Sequence, residues 1–145
     1  MRSRWLAPLR TAFWSLSGAL WDEQASTAHL SGEVIDLLTA AGVRPGTPVL
    51  DLGCGAGAHA VALANVGFDV VGVDAAPGML ARARRKTTPD LASRLRFEQH
   101  DADRPLPFAD GAFAAAIAVS VLQTLSRPVL TCREVARLLA PDGVF

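Results

Sequence analysis

Three aspartates at the ends of short apolar segments carry the most evident chemistry of this chain. They are Asp51, Asp74 and Asp101, and a glycine-rich run, residues 53–57, begins directly after the segment that holds Asp51. A glycine loop lets the backbone approach a ligand closely. The N-terminus of the helix that follows offers unpaired N–H groups and a partial positive charge. This arrangement favours a nucleotide-like ligand.

The glycine loop alone does not separate a dinucleotide site from other nucleoside sites. Gly53, Gly55 and Ala58 fit the GxGxxG/A dinucleotide fingerprint, and Asp74 lies about 20 residues downstream, as in NAD sites. Asp51 discriminates, because a carboxylate at this turn repels a pyrophosphate but pairs with an ammonium group. S-adenosylmethionine presents an ammonium, a carboxylate and a sulfonium and has no phosphate. The charges therefore favour S-adenosylmethionine, and an NAD-dependent oxidoreductase is the weaker alternative.

The elements that must position these residues alternate between helices and buried strands. Short apolar runs predict strands, and glycine or proline marks most of their ends. The order predicted after residue 28 is helix 29–41, strand 48–52, helix 58–66, strand 69–74, helix 77–86, strand 94–100, strand 114–120 and helix 129–140. A turn at 141–143 then leads into a fifth strand that begins at Val144. Alternation of this kind is typical of a parallel α/β sheet.

The segment 49–57, VLDLGCGAG, resembles motif I of class I S-adenosylmethionine-dependent methyltransferases. The resemblance implies that Asp74 accepts hydrogen bonds from both ribose hydroxyls and that Met79 packs on the adenine. It also implies that Asp101 and Ala102 read the adenine edge, through a carboxylate and a backbone N–H. The cofactor implied is S-adenosyl-L-methionine. The cofactor site predicted in this way comprises Asp51, Gly53, Cys54, Gly55, Gly57, Asp74, Ala75, Met79, Asp101, Ala102 and Ser120.

The resemblance extends from about residue 28 to residue 145. Residues 106–108 and Phe113 follow as in methyltransferases of the ubiquinone-biosynthesis type, which act on small molecules. Glu134, Arg137 and Pro141 match the helix and turn before the fifth strand. The resemblance implies an α/β, Rossmann-like, doubly wound and mainly parallel sheet over residues 28–145, after an N-terminal amphipathic helix or cap in residues 1–27.

The chain departs from the family pattern at three points. Ala114 stands where the family often has aspartate, and Asp142 stands where it usually has glycine, which adopts left-handed backbone geometry more readily. The last strands of the seven-stranded fold are absent, so we expect a C-terminally incomplete domain. The alternative to an active enzyme is a truncated, non-catalytic cofactor-binding fragment or split subunit. Its open sheet edge predicts a homo-oligomer or a partner chain.

No residue stands out as the catalytic base, and several polar residues have two interpretations. His59 is expected to be an exposed helix residue, with contact to the methionine carboxylate as the alternative. Cys54 is expected to be a small buried filler and not a nucleophile. Gln123 and Thr124 are candidate acceptor contacts. The three histidines show no metal-ligand spacing, so no metal site is predicted.

Charge and cysteine content limit the partners and the compartment. The chain has 14 basic and 14 acidic residues, which does not favour nucleic-acid or membrane binding and leaves a small-molecule acceptor as the expected partner. Its two cysteines, Cys54 and Cys132, form no CxxC pair, as in a protein of the reducing cytoplasm. The alternative is an organelle transit peptide in residues 1–21, which are basic and lack acids.

Apolar residues at steps of three and four predict an N-terminal helix docked on the core. They are Leu6, Leu9, Phe13, Leu16 and Leu20. The aromatic residues of the same region either form a lid over a small organic acceptor or only pack. They are Trp5, Phe13, Trp14 and Trp21.

Overall fold

The computed structural model describes residue 9, residues 11–16 and residues 26–145. Its helices beyond residue 25 are α1 (Ser26–Ala40), α2 (Ala58–Asn65), α3 (Pro77–Arg85) and α4 (Pro128–Leu138). Its strands are β1 (Pro48–Leu52), β2 (Asp69–Asp74), β3 (Leu95–Gln99), β4 (Phe113–Ile117) and β5 (Leu139–Val144). Two short 3-10 helices, Pro89–Leu91 and Leu122–Thr124, were not predicted.

The strands form one parallel sheet in the order β3-β2-β1-β4-β5. β1 lies at its centre, where Leu50 pairs with Val71 of β2 and with Ala116 of β4. Because the pairing is parallel, the carboxyl ends of β1, β2 and β4 meet at one edge of the sheet. The predicted Rossmann-like sheet is confirmed, and this edge is where ligands bind in such folds.

Helices cover both faces of the sheet, as the doubly wound prediction requires. Alternate residues of β1 point to opposite faces, so that Val49 packs under α1, α2 and α3 while Leu50 packs under α4. Both are fully buried. A strand buried on both faces is apolar at nearly every position. Asp51 breaks this pattern in β1, since it lies on the face of Val49 and is also buried.

The end of the last helix differs from the prediction. α4 ends at Leu138 and the chain enters β5 at once, so the helix predicted to residue 140 and the separate turn at 141–143 are wrong. β5 starts early because Leu139 already pairs with Phe113 of β4. Pro141 has no N–H to donate to a ladder, and the register shifts between Phe113 and Ala115. Asp142 adopts the left-handed geometry expected of a glycine, with φ of 65°.

Arg137 of α4 fixes the long loop between β3 and β4. It donates hydrogen bonds to the carbonyl oxygens of Leu106 and Phe108, at 3.2 and 3.0 Å, and it pairs with Glu134 and Asp110. Glu134 in turn accepts a hydrogen bond from the Leu106 N–H at 2.8 Å. Glu134 and Arg137, predicted from the family pattern, therefore hold the loop that leads into β4.

The N-terminal helical segment packs with a different face from the one predicted. Leu9, Phe13 and Leu16 are 67%, 57% and 83% exposed, so the prediction that this stripe lies in the core is wrong for these residues. Leu6 and Leu20 lie outside the described residues. Trp14 and Ser15 are half-buried, and the Ser15 hydroxyl accepts a hydrogen bond from the Gly78 N–H at 3.4 Å. Within the described ranges, no helix combines the length and apolarity that crossing a membrane requires.

Candidate functional site

A cavity of about 420 Å³ lies at the carboxyl edge of the sheet. It is bounded by the loop after β1, the loop after β2, the segment after β4 and part of the N-terminal region. Of the predicted cofactor site, the residues that line it are Asp51, Gly53, Cys54, Gly55, Asp74, Ala75, Met79, Asp101, Ala102 and Ser120. The strand ends thus bring together almost the whole predicted set.

Gly57 is the predicted site residue that does not line the cavity. It is the N-cap of α2, with φ of 79°. A Cβ atom at this position would lie 2.7 Å from the Phe97 ring and 2.9 Å from Cβ of Ala83. The glycine is therefore needed where the loop packs on β3 and α3, and it shapes the site from behind.

Gly53 begins the glycine loop in a conformation that other residues avoid. Its φ is 68°, and a Cβ atom there would lie 2.3 Å from Cγ2 of Val121. The close approach of Val121 brings the segment after β4 against the loop after β1. Val121 and Val119 also line the cavity. Neither was predicted as a site residue, because no local pattern marks them.

Asp74 ties the glycine loop to the start of α3. One carboxylate oxygen accepts a hydrogen bond from the Gly55 N–H at 3.0 Å, and the other accepts one from the Ala76 N–H at 2.8 Å. A carboxylate that accepts backbone N–H bonds from two segments holds them together. The acid predicted for ligand contact therefore also holds the loop that forms the site.

Asp51 is the most unusual group in the cavity. Its side chain is 1% exposed, and its Oδ2 atom accepts no hydrogen bond within the described part of the chain. Burial, and secondly the charge of Asp74, raise the pKa of Asp51 to about 7, against a smaller opposing effect of the Ala60 N–H. A buried, unpartnered carboxylate oxygen is costly unless a ligand cation satisfies it. Asp51 therefore suits an ammonium group.

The segment after β3 forms a further wall of the cavity with His100, Asp101 and Ala102, and hydrogen bonds hold it in place. Asp101 accepts a hydrogen bond from the Asp103 N–H at 3.1 Å, and the buried Ala102 accepts one through its carbonyl from Thr131 of α4 at 2.8 Å. Nε2 of His100 lies 3.1 Å from Oε2 of Glu98, and the His100 ring packs edge-on against the ring of Phe108. This wall is thus anchored to α4 and to the loop that Arg137 holds.

His59 lines the cavity and is half-buried, so the expectation of an exposed helix residue is wrong. The physical reason is α1, which packs on α2 and places the buried Ser31 hydroxyl 2.9 Å from the Nδ1 atom of His59. Burial lowers the pKa of His59 below its usual range. The pattern of α2 alone gave no signal for this contact, because the partner lies on another helix.

The rim contains the candidate acceptor contacts. Gln123 and Thr124 line the cavity from the 3-10 helix Leu122–Thr124, and Leu125 lies beside them. Ser120 precedes this turn with φ of 56°, a left-handed conformation that is uncommon for residues other than glycine. Trp14 and Leu30 complete the rim from the N-terminal side.

Cys54 behaves as the predicted small buried filler. It is 8% exposed, and burial with the charges of Asp51 and Asp74 raises the pKa of its thiol well above its ordinary value. Such a thiol is protonated and poorly nucleophilic. In the described ranges, no three His, Cys, Asp or Glu side chains group together as metal ligands would.

Comparison with known proteins agrees with this geometry. Residues 49–143 match the family model described as a methyltransferase domain. The chain is also 38% identical, over 134 residues and 86% of its length, to the demethylmenaquinone methyltransferase of Beutenbergia cavernae. The chain belongs to the class I S-adenosylmethionine-dependent methyltransferases. The fold and the family predicted from the glycine loop and its acids are confirmed.

Two further members of the family show how far the similarity reaches. The chain is 33% identical over 70% of its length to the 2-methyl-6-phytyl-1,4-hydroquinone methyltransferase of Synechocystis. It also superimposes, with a TM-score of 0.66 and 27% identity, on the magnesium protoporphyrin IX methyltransferase of Synechocystis PCC 6803, solved with bound S-adenosylmethionine. The latter match covers 77% of this chain and 54% of that one. The chain spans 53% of the demethylmenaquinone methyltransferase and 31% of the hydroquinone enzyme.

Proposed function

We propose that this chain binds S-adenosyl-L-methionine and transfers its methyl group to a small, hydroxylated aromatic acceptor. The observation that carries the proposal is the buried Asp51 carboxylate, whose Oδ2 atom accepts no hydrogen bond within the described residues and which lines the cavity below the glycine loop. An ammonium group satisfies this atom, whereas a pyrophosphate is repelled by it. The proposal therefore follows from the charge of the site as well as from the family.

Each of the following cavity residues contacts a different part of the cofactor in this proposal. Asp51 pairs with the ammonium group, and the carboxylate of Asp74 receives the ribose hydroxyls while it continues to hold Gly55. Met79 is buried beside the loop and gives an apolar surface for the adenine, whose edge Asp101 and Ala102 recognise. These roles need no covalent chemistry from the protein. They require a rigid wall, which the hydrogen bonds of Asp74 provide.

S-adenosylmethionine supplies a methyl group that is already activated by its sulfonium. The protein therefore has to orient the acceptor and to exclude water, and it needs a base only where the acceptor loses a proton. Trp14, Leu30 and Leu125 line the rim with apolar surface, which excludes water from the site. Positioning by these residues is the main contribution that we assign to the acceptor side.

The acceptor class is supported by two observations. The rim is apolar on the side of Trp14 and Leu30, which suits a planar ring. The family members with the similarity described above are named for a demethylmenaquinone and a 1,4-hydroquinone, and a hydroquinone is an aromatic ring that carries hydroxyl groups. We accordingly propose a phenol or a hydroquinone as the acceptor.

Location and assembly are also proposals. We propose that the protein works in the cytoplasm, which its unpaired cysteines favour. β5 forms one edge of the described sheet, and a second copy or another chain that pairs with this edge would cover it. A sedimentation experiment that gives only monomer at micromolar concentration would contradict such pairing.

Calorimetric titration with S-adenosylhomocysteine and with NADH tests the proposed function. The wild type should bind S-adenosylhomocysteine and not NADH, and Asp74→Ala should weaken that binding at least about 100-fold, since a charged hydrogen-bond partner is lost. Asp69→Ala, at the exposed start of the same strand, is the matched control and should bind as the wild type does. Binding of NADH without S-adenosylhomocysteine would overturn the proposal. Binding without methyl transfer to any phenol would favour a non-catalytic cofactor-binding chain.

A further inference from the structure

His59 is a cavity group to which the cofactor assignment gives no role. Asp51, Asp74 and Asp101 lie at the strand ends and are assigned to the cofactor, and His100 lies against Glu98. His59 lines the cavity from the first turn of α2, and Trp14 and Leu30 line the same cavity from the N-terminal region and α1. His59 is therefore an ionisable group without an assigned role, in a cavity whose three aspartates are assigned to the cofactor.

The ring of His59 is held in one orientation by α1. The hydroxyl of Ser31 lies 2.9 Å from Nδ1, and Ser31 is itself 5% exposed. This contact joins two helices that pack against each other along the sheet. Because Nδ1 is occupied, Nε2 is the ring nitrogen that remains for a molecule in the cavity. A histidine fixed at one nitrogen, with the other available, has the arrangement of a general base.

We propose that His59 is the base that removes the proton from the hydroxyl of the aromatic acceptor, and that Ser31 is a positioning residue for its ring. The proposal rests on the function proposed above and adds the residue that activates the acceptor. It requires the Ser31 hydroxyl to accept the Nδ1 proton, which leaves Nε2 unprotonated.

The reaction balances with these groups alone. The acceptor oxygen forms a new bond to the methyl carbon of S-adenosylmethionine, and the carbon–sulfur bond breaks with its electron pair on sulfur. The hydroxyl proton passes to Nε2 of His59, and the imidazolium then releases it to water. The products are the methyl ether and S-adenosylhomocysteine.

Burial sets the direction of the pKa shift of His59, although three acids line the same cavity. Asp51 and Asp74 line the same cavity from β1 and β2, and Asp101 lines it after β3. On α1, Glu33 pairs with His29 at the surface, 3.2 Å away, and Asp36 is exposed. Neither α2 nor residues 11–16 carry another charged side chain. Burial lowers the pKa of His59, so the neutral form that can accept a proton predominates at pH 7.

Contact with the methionine carboxylate is the other role open to a histidine near a helix N-terminus, and a binding experiment separates the two. S-adenosylhomocysteine is titrated into wild type, His59→Gln and His29→Gln, the last being an exposed histidine of α1 as the matched control. We expect all three dissociation constants to agree within about two-fold. A loss of ten-fold or more in His59→Gln alone assigns the residue to the cofactor carboxylate and overturns the proposal.

A pH profile then tests the base directly. Initial rates of methyl transfer to 1,4-dihydroxynaphthalene, kept reduced under argon, are measured from pH 5 to pH 9. The product is identified as the methyl ether by chromatography against 4-methoxy-1-naphthol, coupled to mass spectrometry. For the wild type, kcat should rise with pH through a midpoint below about 6.5, because only neutral His59 accepts a proton. His59→Gln should lower kcat about 100-fold and remove this rise. His29→Gln should change neither.

The outcomes also separate failure of this proposal from failure of the proposed function. A wild type that binds no S-adenosylhomocysteine contradicts the function itself. A wild type that binds it but does not methylate the probe overturns the acceptor class, and the role of His59 with it. Methylation of the probe at a ring carbon instead of the hydroxyl oxygen overturns the role of His59 alone. An acidic rise that persists in His59→Gln overturns the role of His59 alone.

Ser31 has its own test, because a purely structural role would not shift a pH profile. Ser31→Ala should lower kcat about ten-fold and move the midpoint of the acidic rise, with binding of S-adenosylhomocysteine unchanged. Ser31→Thr keeps the hydroxyl and should restore both values. A Ser31→Ala profile that matches the wild type would remove Ser31 from the proposal.

Discussion

The two sides of the cavity are built in different ways. On the cofactor side, backbone N–H groups of the glycine loop and of α3 bond to Asp74, and Asp51 below them is buried. On the acceptor side, Trp14 and His59 are half-buried, and Ser31 contacts His59 through side chains that come from two helices. The first side depends on local backbone geometry. The second depends on how distant segments pack.

This difference explains how one fold can keep a common cofactor while it changes its acceptor. Residues 51–57 and Asp74, which we assign to the cofactor, lie within two strands and their loops, so we expect few substitutions to be compatible with them. The side that we assign to the acceptor consists of side chains on the N-terminal region, α1, α2 and the segment after β4. Its residues can change without disturbing the sheet. We therefore expect mutations on the two sides to affect different constants.

The largest effect on stability and binding is expected where the glycine loop contacts the segment after β4. Gly53→Ala places a Cβ atom 2.3 Å from Cγ2 of Val121 in a left-handed conformation. We expect the free energy of unfolding to fall by about 3 kcal/mol, and binding of S-adenosylhomocysteine to weaken about 100-fold. Urea unfolding and calorimetry measure these two changes. The double variant Gly53→Ala with Val121→Ala removes the closest contact but leaves Cβ of residue 121 at 2.7 Å and the backbone strain at residue 53, so it should recover only part of each loss.

The next effect, on stability alone, is expected from the charge of Asp51 in the ligand-free protein. Burial raises the pKa of Asp51 to about 7, from an unfolded value of 3.8. Below pH 3.8, the pKa of Asp51 in the unfolded chain, protonated Asp51 contributes its full stability to the folded form. This contribution is lost as the pH rises through about 7, because the unfolded chain releases the proton first. Asp51→Asn removes the titration, so its stability relative to wild type should increase by about 4 kcal/mol between pH 4 and pH 8. Urea unfolding at both pH values measures this. A difference that does not change with pH would contradict the account.

The smallest effect is expected on the acceptor side of the N-terminal segment. Trp14 lines the cavity, whereas Leu16, on the same segment, is 83% exposed. Trp14→Ala should raise KM for an aromatic acceptor about five-fold and leave binding of S-adenosylhomocysteine unchanged. Leu16→Ala is the matched control and should change neither constant. If Trp14→Ala weakens cofactor binding instead, the division between the two sides is wrong.

The parts of the site that could be predicted from the sequence are those with local causes. Glycines after a buried strand, and an acid at the end of the next strand, give the same geometry wherever the two strands pair in parallel. Asp51, Gly53, Gly55 and Asp74 were therefore predicted from spacing and charge, and all four line the cavity. Gly57 fits the same pattern, but it faces Phe97 and Ala83, because the loop needs close packing as well as ligand contact.

The parts that could not be predicted depend on contacts between distant segments. His59 is half-buried because Ser31 of another helix covers it, and no periodicity within α2 indicates this. Val121 meets Gly53 only after β4 pairs with β1. The apolar stripe of residues 9–16 predicted the wrong inward face, since Leu9 and Leu16 are exposed and Trp14 packs inward. Periodicity predicts a helix there, but it does not show which face is covered.

We propose above all that Asp51 selects a ligand that carries an ammonium group. Its most direct test compares binding of S-adenosylhomocysteine with binding of 5′-methylthioadenosine, which has the same nucleoside and sulfur but no amino-acid group. We expect the wild type to bind S-adenosylhomocysteine at least about 100-fold more tightly, and Asp51→Asn to lose most of this preference while it binds 5′-methylthioadenosine as before. A preference that is unchanged in Asp51→Asn would contradict the assignment.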